Sequence, residues 1–302
     1  MQIHFAPLQG YADYVYLRAF AEVYGAADAC YSPFIRIEKG VPRRQDMARL
    51  ERWDGLVPQI IFNGPEEFRA LASAIKALGF KKIDLNLGCP FPMQTSRGRG
   101  AAMIGNTADM QEIADIIAAD KEATYSVKMR LGKDDAGEWR SLLPILNGLA
   151  LDHVAVHPRV ATQMYEGDLR MAEFEALLSE SKNKVIYNGD LHTAADIDAI
   201  AAAYPAIAGV MIGRGLLVRP SLIEEWRSGK EWDREQRLAA IADLHSRIFE
   251  DYAATLCGDA QVLQKIKPFW EYLEPEIGHK AAKQLRKATS LGKYRSVIAS
   301  IF

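Results

Sequence analysis

The chain has 302 residues, of which 49% are apolar and 25% charged, with a formal net charge of −2 at pH 7. That length excludes a minimal module and suits one large domain with a smaller one. The near-neutral balance excludes a protein that grips nucleic acid with its whole surface, so any such contact must come from a local cluster of Lys and Arg.

Short apolar runs alternate with helix-like segments up to about residue 229. The strand candidates, in chain order, are Ile3–Ala6, Ala29–Phe34, Val57–Phe62, Lys82–Leu87, Tyr125–Met129, His153–His157, Lys184–Asn188 and Gly209–Ile212. Helices lie between them. Pro65 opens one with Phe68, Leu71, Ala72, Ile75 and Leu78 on one face. Thr107 is read as the N-cap of the next, with Met110, Ile113, Ala114 and Ile117. Thr193 caps another, with Ile197, Ile200 and Ala201. The connection from Arg36 to Trp53 is long and charged, and irregular structure is expected there. Beyond residue 229 the strands stop. Asp233–Thr255, Ala260–Leu273, Glu276–Leu291 and Lys293–Ile301 read as helices, with breaks at Gly258, Pro275 and Gly292.

Strands alternating with helices in this way predict a (β/α)₈ TIM barrel, α/β in class, over residues 1–229, followed by an all-helical domain over 230–302. A doubly wound sheet is the rival. Its dinucleotide fingerprint fails here, because Gly98-Arg99-Gly100-Ala101-Ala102-Met103 lacks the third glycine and does not directly follow a strand. Cys30, Cys89 and Cys257 form no C-x-x-C pair, which argues against a metal ribbon or a disulfide framework and for a reducing cytoplasm. No bound metal is expected. The stretch from Met1 to Pro7 does not read as a signal peptide, and no apolar run is long enough to span a bilayer.

Chemistry gathers where barrel enzymes keep it, at the C-terminal ends of strands. Pro7 and Leu8, Gln59, Asn86 with Cys89, and Lys128 with Arg130 stand at such ends. His157 with Arg159, Asn188-Gly189-Asp190 and Gly213-Arg214-Gly215 follow. Cys89 sits in Asn86-Leu87-Gly88-Cys89-Pro90, on a loop stiffened by Gly and Pro. A thiol with a reference pKa of about 8.5 is mostly neutral at pH 7, so it can donate a proton as well as attack. The glycine turns after the last two strands occupy the recurrent phosphate position of barrel enzymes, and Arg214 adds a planar fork for phosphate. A phosphate there, without a Rossmann turn, points to flavin mononucleotide (FMN) more than to a dinucleotide. From His279 onward Lys280, Lys283, Arg286, Lys287, Lys293 and Arg295 occur with no acidic residue. They form either a solvated face or a contact to a phosphate backbone.

Taken together, Ala6-Pro7-Leu8, Gln59, Asp84-Leu85-Asn86-Leu87-Gly88-Cys89-Pro90, Gly100-Ala101, Val127-Lys128-Met129-Arg130-Leu131-Gly132, His157-Pro158-Arg159, Asn188-Gly189-Asp190 and Met211-Ile212-Gly213-Arg214-Gly215 resemble the tRNA-dihydrouridine synthase family. Lys265-Ile266-Lys267-Pro268-Phe269-Trp270 and Tyr272-Leu273 continue the resemblance. It implies reduction of the uracil C5=C6 bond in tRNA, with hydride from reduced FMN to C6, a proton from Cys89 to C5, and NADPH as electron donor. It further implies that Pro7, Leu8, Gln59, Lys128, His157, Asn188, Gly189, Asp190, Gly213 and Arg214 hold the flavin, with Lys128 as counter-charge to its reduced form. Asn86 and Arg159 would line the base pocket. Lys265 and Lys267 would grip RNA from the helical domain of a monomeric, cytoplasmic enzyme. The run from Lys265 to Leu273 is similar to the bacterial C-type branch, which implies a target near tRNA position ~16. The family usually has His-Gly-Arg where this chain has Pro158, and a Glu is common at Asp190. Arg97 and Arg99 make the loop after Cys89 basic, either to touch RNA phosphates or as a solvated surface. Two other readings stand beside this one. One is a flavin barrel acting on a free pyrimidine, resembling dihydroorotate dehydrogenases. The other is a non-catalytic RNA-binding protein on a barrel scaffold.

Overall fold

The structure is a computed structural model that describes residues 1–25, 27–48, 50–51, 53 and 55–302. Its strands are β1 (Gln2–Phe5), β2 (Ala29–Tyr31), β3 (Ile37–Glu38), β4 (Val41–Pro42), β5 (Leu56–Val57), β6 (Gln59–Ile60), β7 (Lys82–Leu87), β8 (Thr124–Gly132), β9 (Val154–Val160), β10 (Val185–Tyr187) and β11 (Gly209–Ile212). Apart from the antiparallel β3–β4 pair they form one parallel sheet in the order β5-β2-β1-β11-β10-β9-β8-β7-β6. β5 and β6 are two halves of one stave. Pro58 separates them because it has no N–H for the ladder, while its carbonyl still accepts the Asp84 N–H at 2.9 Å. Leu56–Val57 pairs with β2 and Gln59–Ile60 with β7, so the sheet closes on itself as a barrel of eight staves.

Alternation along each strand sorts the core into two shells. Ile83, Leu85 and Leu87 of β7 face the helices and join the main apolar cluster, as do Val127 and Met129 of β8. Between them Asp84, Asn86 and Ser126 are buried polar groups, and Lys128 follows Ser126 by the same step of two. The barrel lumen has only a small apolar cluster, including Tyr31, Val57, Ala155, Ile186 and Met211. The interior of this barrel is therefore unusually polar, which matters for the site.

The helix over Pro65–Ala77 begins on its proline and buries Phe68, Leu71, Ala72 and Ile75. Thr193 caps Ala194–Ala203 through a reciprocal pair with Asp196. Thr107 is not an N-cap. Asn106 takes that position, accepting the Asp109 N–H, and Thr107 is the first helical residue. Asn outranks Thr only slightly as a cap, so adjacent candidates are hard to separate by sequence. The connection after β2 is more ordered than expected, because it carries β3, β4 and a helical turn over Arg44–Met47. Asp46 holds it by pairing with Arg43 at 2.8 Å. The part of that expectation that falls on Arg49 and Arg52 lies outside the described residues.

After β11, every further regular element among the described residues is helical. Asp233 caps Arg234–Thr255. The expected single helix Ala260–Leu273 is broken. It consists of Asp259–Ile266 and a 3₁₀ turn over Lys267–Trp270, since Pro268 removes a helical N–H. The expected helix Glu276–Leu291 is likewise divided, into Glu274–Ile277 and His279–Lys287, at Gly278 with φ +85°. The last helix starts at Leu291, not Lys293, with Ser290 as its cap. These helices pack on the barrel through Tyr14–Tyr24. Asp13, the cap of that helix, also accepts the Tyr252 hydroxyl at 2.8 Å and pairs with Lys265 at 2.7 Å.

Candidate active site

A cavity of about 260 Å³ opens at the C-terminal end of the barrel. Pro7, Leu8, Gln59, Asn86, Cys89, Lys128, His157, Asn188, Gly189, Asp190, Gly213 and Arg214 line it, together with Arg130, Tyr165, Tyr11 and Tyr272. Of the residues singled out in sequence, Arg97, Arg99, Arg159, Lys265 and Lys267 are not in its wall.

The floor is built from paired strands. Register sets Gln59 opposite Asp84, Asp84 opposite Ser126, and Asn86 opposite Lys128. Asp84 accepts from Gln59 Nε2 at 2.7 Å and from Ser126 Oγ at 2.6 Å. Burial raises its carboxyl above the usual range, and those two donated bonds act against that shift. Gln59 Oε1 accepts from Asn86 Nδ2 at 2.7 Å. Asn86 Oδ1 in turn accepts the N–H groups of Gly88 at 3.1 Å and Cys89 at 2.8 Å. The loop that carries the thiol is thus held from beneath.

Cys89 is 7% exposed. Burial raises its thiol pKa, against smaller opposing effects from the Phe91 backbone, Arg130 and Lys128. The thiol is therefore neutral at physiological pH. Gly100 backs it closely. A Cβ there would stand 2.7 Å from the Cys89 carbonyl oxygen, and Gly100 has φ +62°. Both facts require glycine.

The wall also carries cationic groups. Lys128 has its pKa lowered to about 8, first by burial and then by Arg130. No carboxylate forms an ion pair with it among the described residues. His157 is pushed well below the ordinary imidazole range, by burial and by Arg130, Lys128 and Arg159, so it is neutral. Arg130 donates to the Gly88 carbonyl at 3.1 Å and the Val160 carbonyl at 2.8 Å. Tyr165 lies against both Arg130 and Arg214, with its ring centroid 5.3 and 4.5 Å from their guanidinium carbons.

Arg159 is engaged elsewhere. It makes a two-point pair with Asp190 at 3.0 and 2.6 Å and donates to the Gly167 carbonyl at 2.8 Å. The pair holds Asp190 below the usual carboxylate range. Arg99 also departs from the expected place. It is buried, paired with Glu67 at 2.5 Å, and donates to the Ile37 carbonyl at 3.0 Å. Its guanidinium clamps the loop instead of facing outward. Arg97 is exposed. Lys265 is half-exposed, held by Asp13 and close to the Tyr252 ring. Lys267 lies in the 3₁₀ turn, partly buried.

Arg130 had a signal in the sequence. It lies two residues beyond Lys128, hence on the same strand face, yet it received no role there. Tyr11 and Tyr272 meet edge to face at 5.1 Å across the join between barrel and helices, which no local pattern announces.

Fold and site together define a parallel-barrel enzyme with a neutral thiol facing a cation-lined cavity. The family profile described as "Dihydrouridine synthase (Dus)" matches residues 4–296. The chain is 28% identical over 295 residues to a Bacillus subtilis (strain 168) protein named "Probable tRNA-dihydrouridine synthase 2", covering 93% of this chain and 86% of that one. It is 29% identical over 268 residues to a "tRNA-dihydrouridine(16) synthase" of Cupriavidus necator, covering 82% and 83%. Among solved structures, morphinone reductase superposes with a TM-score of 0.53 at 14% identity, covering 77% of this chain and 87% of that one. That likeness concerns the barrel fold alone. The chain belongs to the dihydrouridine synthase family.

FMN is the cofactor of this family, and the residues present fit it. An unpaired, largely buried ammonium is costly unless an anion joins it, and Lys128 is such a group in the cavity wall. The Gly213 backbone and the Arg214 guanidinium lie at the same mouth, suited to a phosphate.

Proposed function

We propose that this chain reduces a uridine of tRNA to 5,6-dihydrouridine and that Cys89 donates the proton that reaches C5. One observation carries the proposal: the buried Cys89 thiol shares a cavity with Lys128, which makes no ion pair to a carboxylate among the described residues. When bound, FMN supplies the hydride that C6 receives. NADPH is the proposed source of those electrons.

The chain's own residues then have separable tasks. Lys128 sets a positive charge beside the flavin ring. Pro7, Leu8, Gln59, His157, Asn188 and Gly189 shape the ring and ribityl pocket. Gly213 and Arg214 receive the phosphate. Asn86 faces the base. Cys89 Sγ would give up its proton to the uracil held in the cavity, and positioned acid catalysis of this kind contributes about 10²–10⁴-fold. Asp190 pairs with Arg159 and lies 3.7 Å from Arg214, so its task is to orient both guanidinium groups.

Residues 1–229 act as the catalytic domain and 230–302 as the tRNA grip of a monomeric cytoplasmic enzyme. Lys280, Lys283 and Lys287 support the second assignment, because they are exposed along one face of His279–Lys287 while Ala282 and Leu285 are buried on the other. Lys265 and Arg97, both exposed, would serve as lesser contacts. The name of the Cupriavidus relative and the Lys265–Leu273 run favour position 16 of the tRNA as target. Among the described residues no helix is long and apolar enough to cross a membrane.

The test is nucleoside mapping of tRNA from cells with and without this protein. The expected result is loss of dihydrouridine at one position. Unchanged dihydrouridine at every position, in cells with no second enzyme of this kind, would overturn the proposal.

A further inference from the structure

The catalytic groups do not include Asp84, a carboxyl with 0% exposure that lies one layer below Asn86. We propose that Asp84 is a positioning residue: it fixes which way the amides of Gln59 and Asn86 face, and so holds the Cys89 loop and sets what Asn86 can offer a ligand.

Counting donors and acceptors gives the result. A carboxylate only accepts. One Asp84 oxygen is taken by the Ser126 hydroxyl and the other faces Gln59 at 2.7 Å. The contacts accordingly set the Gln59 NH₂ toward Asp84 and its carbonyl toward Asn86. Asn86 must then give an N–H to that carbonyl, which leaves its own oxygen facing the Gly88 and Cys89 N–H groups. That oxygen has two lone pairs and both are used. The one hydrogen-bonding group left on Asn86 is its second N–H. Toward the cavity, Asn86 is a donor and nothing else. An N–H pairs with a ring carbonyl and opposes an exocyclic amine, so where Asn86 meets the C4 edge of a pyrimidine it favours the uracil carbonyl over the cytosine amine. This last step rests on the function proposed above; the hold on the Cys89 loop does not.

Reversal of the chain of amides would set the Asn86 NH₂ against the Gly88 and Cys89 N–H groups, donor to donor. The loop would have to move and expose Sγ. Asp84→Asn brings this about without a change of shape. To keep an acceptor for the Ser126 hydroxyl hydrogen, the new side chain leaves its oxygen there and turns its NH₂ onto Gln59. Gln59→Glu added to Asp84→Asn restores an acceptor-only group one step further along, and Asn86 is turned back.

The experiment measures iodoacetamide alkylation of Cys89 by peptide mass spectrometry, at fixed pH, in cofactor-free protein with Cys257→Ser to remove the exposed thiol. Asp84→Asn is expected to raise the alkylation rate roughly fivefold or more, the scale of one lost hydrogen bond. The Asp84→Asn/Gln59→Glu pair returns it to the wild-type rate. Asp84→Leu removes the anchor without forcing the reversal, so it gives a smaller rise than Asp84→Asn, and it stands in for that variant should Asp84→Asn not fold. Two results overturn the inference: unchanged Cys89 alkylation in the single variants with only a lower melting temperature, or a rise that the paired variant does not reverse. This readout uses neither FMN nor tRNA. A wild-type chain that makes no dihydrouridine would defeat the function and leave this test intact.

Discussion

Two side chains that line one cavity, Cys89 and Lys128, titrate in opposite directions for the same reason. Burial disfavours charge, so the Cys89 thiol rises and the Lys128 ammonium falls. For Cys89 the neutral form is the active one. A raised pKa extends that form upward, so the rate of uracil protonation should decline only above the ordinary thiol range of about 8.5. A single-turnover pH profile checks this. A decline that begins near neutrality would mean that the thiolate is too accessible to be the acid. For Lys128 the sign is reversed. In cofactor-free protein it loses its proton as pH rises through about 8. Affinity for the anionic cofactor should therefore weaken across that pH, and Lys128→Met should remove the dependence. Linkage predicts a companion effect. The unfolded chain binds more protons than the folded one from about pH 8 up to the ordinary lysine range, so stability of the cofactor-free protein should gain from Lys128 as pH rises through that window.

At the scale of elements, the loop after β7 depends on its close approach to Gly100. Gly100→Ala would bring a Cβ to 2.7 Å from the Cys89 carbonyl oxygen at φ +62°. Strain of this kind costs about 1–3 kcal/mol. A lower melting temperature is expected, together with a fall in kcat larger than any change in KM for tRNA, since the proton donor is displaced while the RNA-binding surface is not. Steady-state kinetics decides it. Much of this region could be read from sequence. The alternation in Lys82–Leu87 and Thr124–Gly132 places Asp84, Asn86, Ser126 and Lys128 on one face, and the Pro and Gly flanking Cys89 mark a stiff turn. The partner of Arg99 could not. Glu67 lies 32 residues earlier, and only the folded chain brings the two together. Arg159 misled for a related reason. Its position beside His157 suggested the cavity, but Asp190, 31 residues later, draws its guanidinium aside. Breaks at Pro268 and Gly278 divide helices that periodicity alone would join, because apolar spacing persists across a bend.

For the molecule as a whole, the helices after residue 229 complete the mouth as well as extending the surface. Tyr272 reaches the cavity wall, and Tyr11 of the barrel bonds Glu271 at 2.8 Å beside it. RNA held by the helices would therefore be presented at the mouth. Reversal of Lys280, Lys283 and Lys287 to Glu should raise KM for tRNA and leave FMN binding unchanged. It should also flatten the salt dependence of tRNA binding by about 0.7–0.9 log units of slope for each phosphate that is no longer neutralised. Filter binding over a salt series measures this. A steepness equal to wild type would remove those lysines from the interface.

The most direct measurement is a single turnover of the FMN-loaded, pre-reduced protein with unmodified tRNA, read by nucleoside mass spectrometry for dihydrouridine. Wild-type protein should form it, and Cys89→Ala should form it about 10²–10⁴-fold more slowly with FMN still bound. Equal rates in the two proteins, or no dihydrouridine from either, would contradict Cys89 as the proton donor.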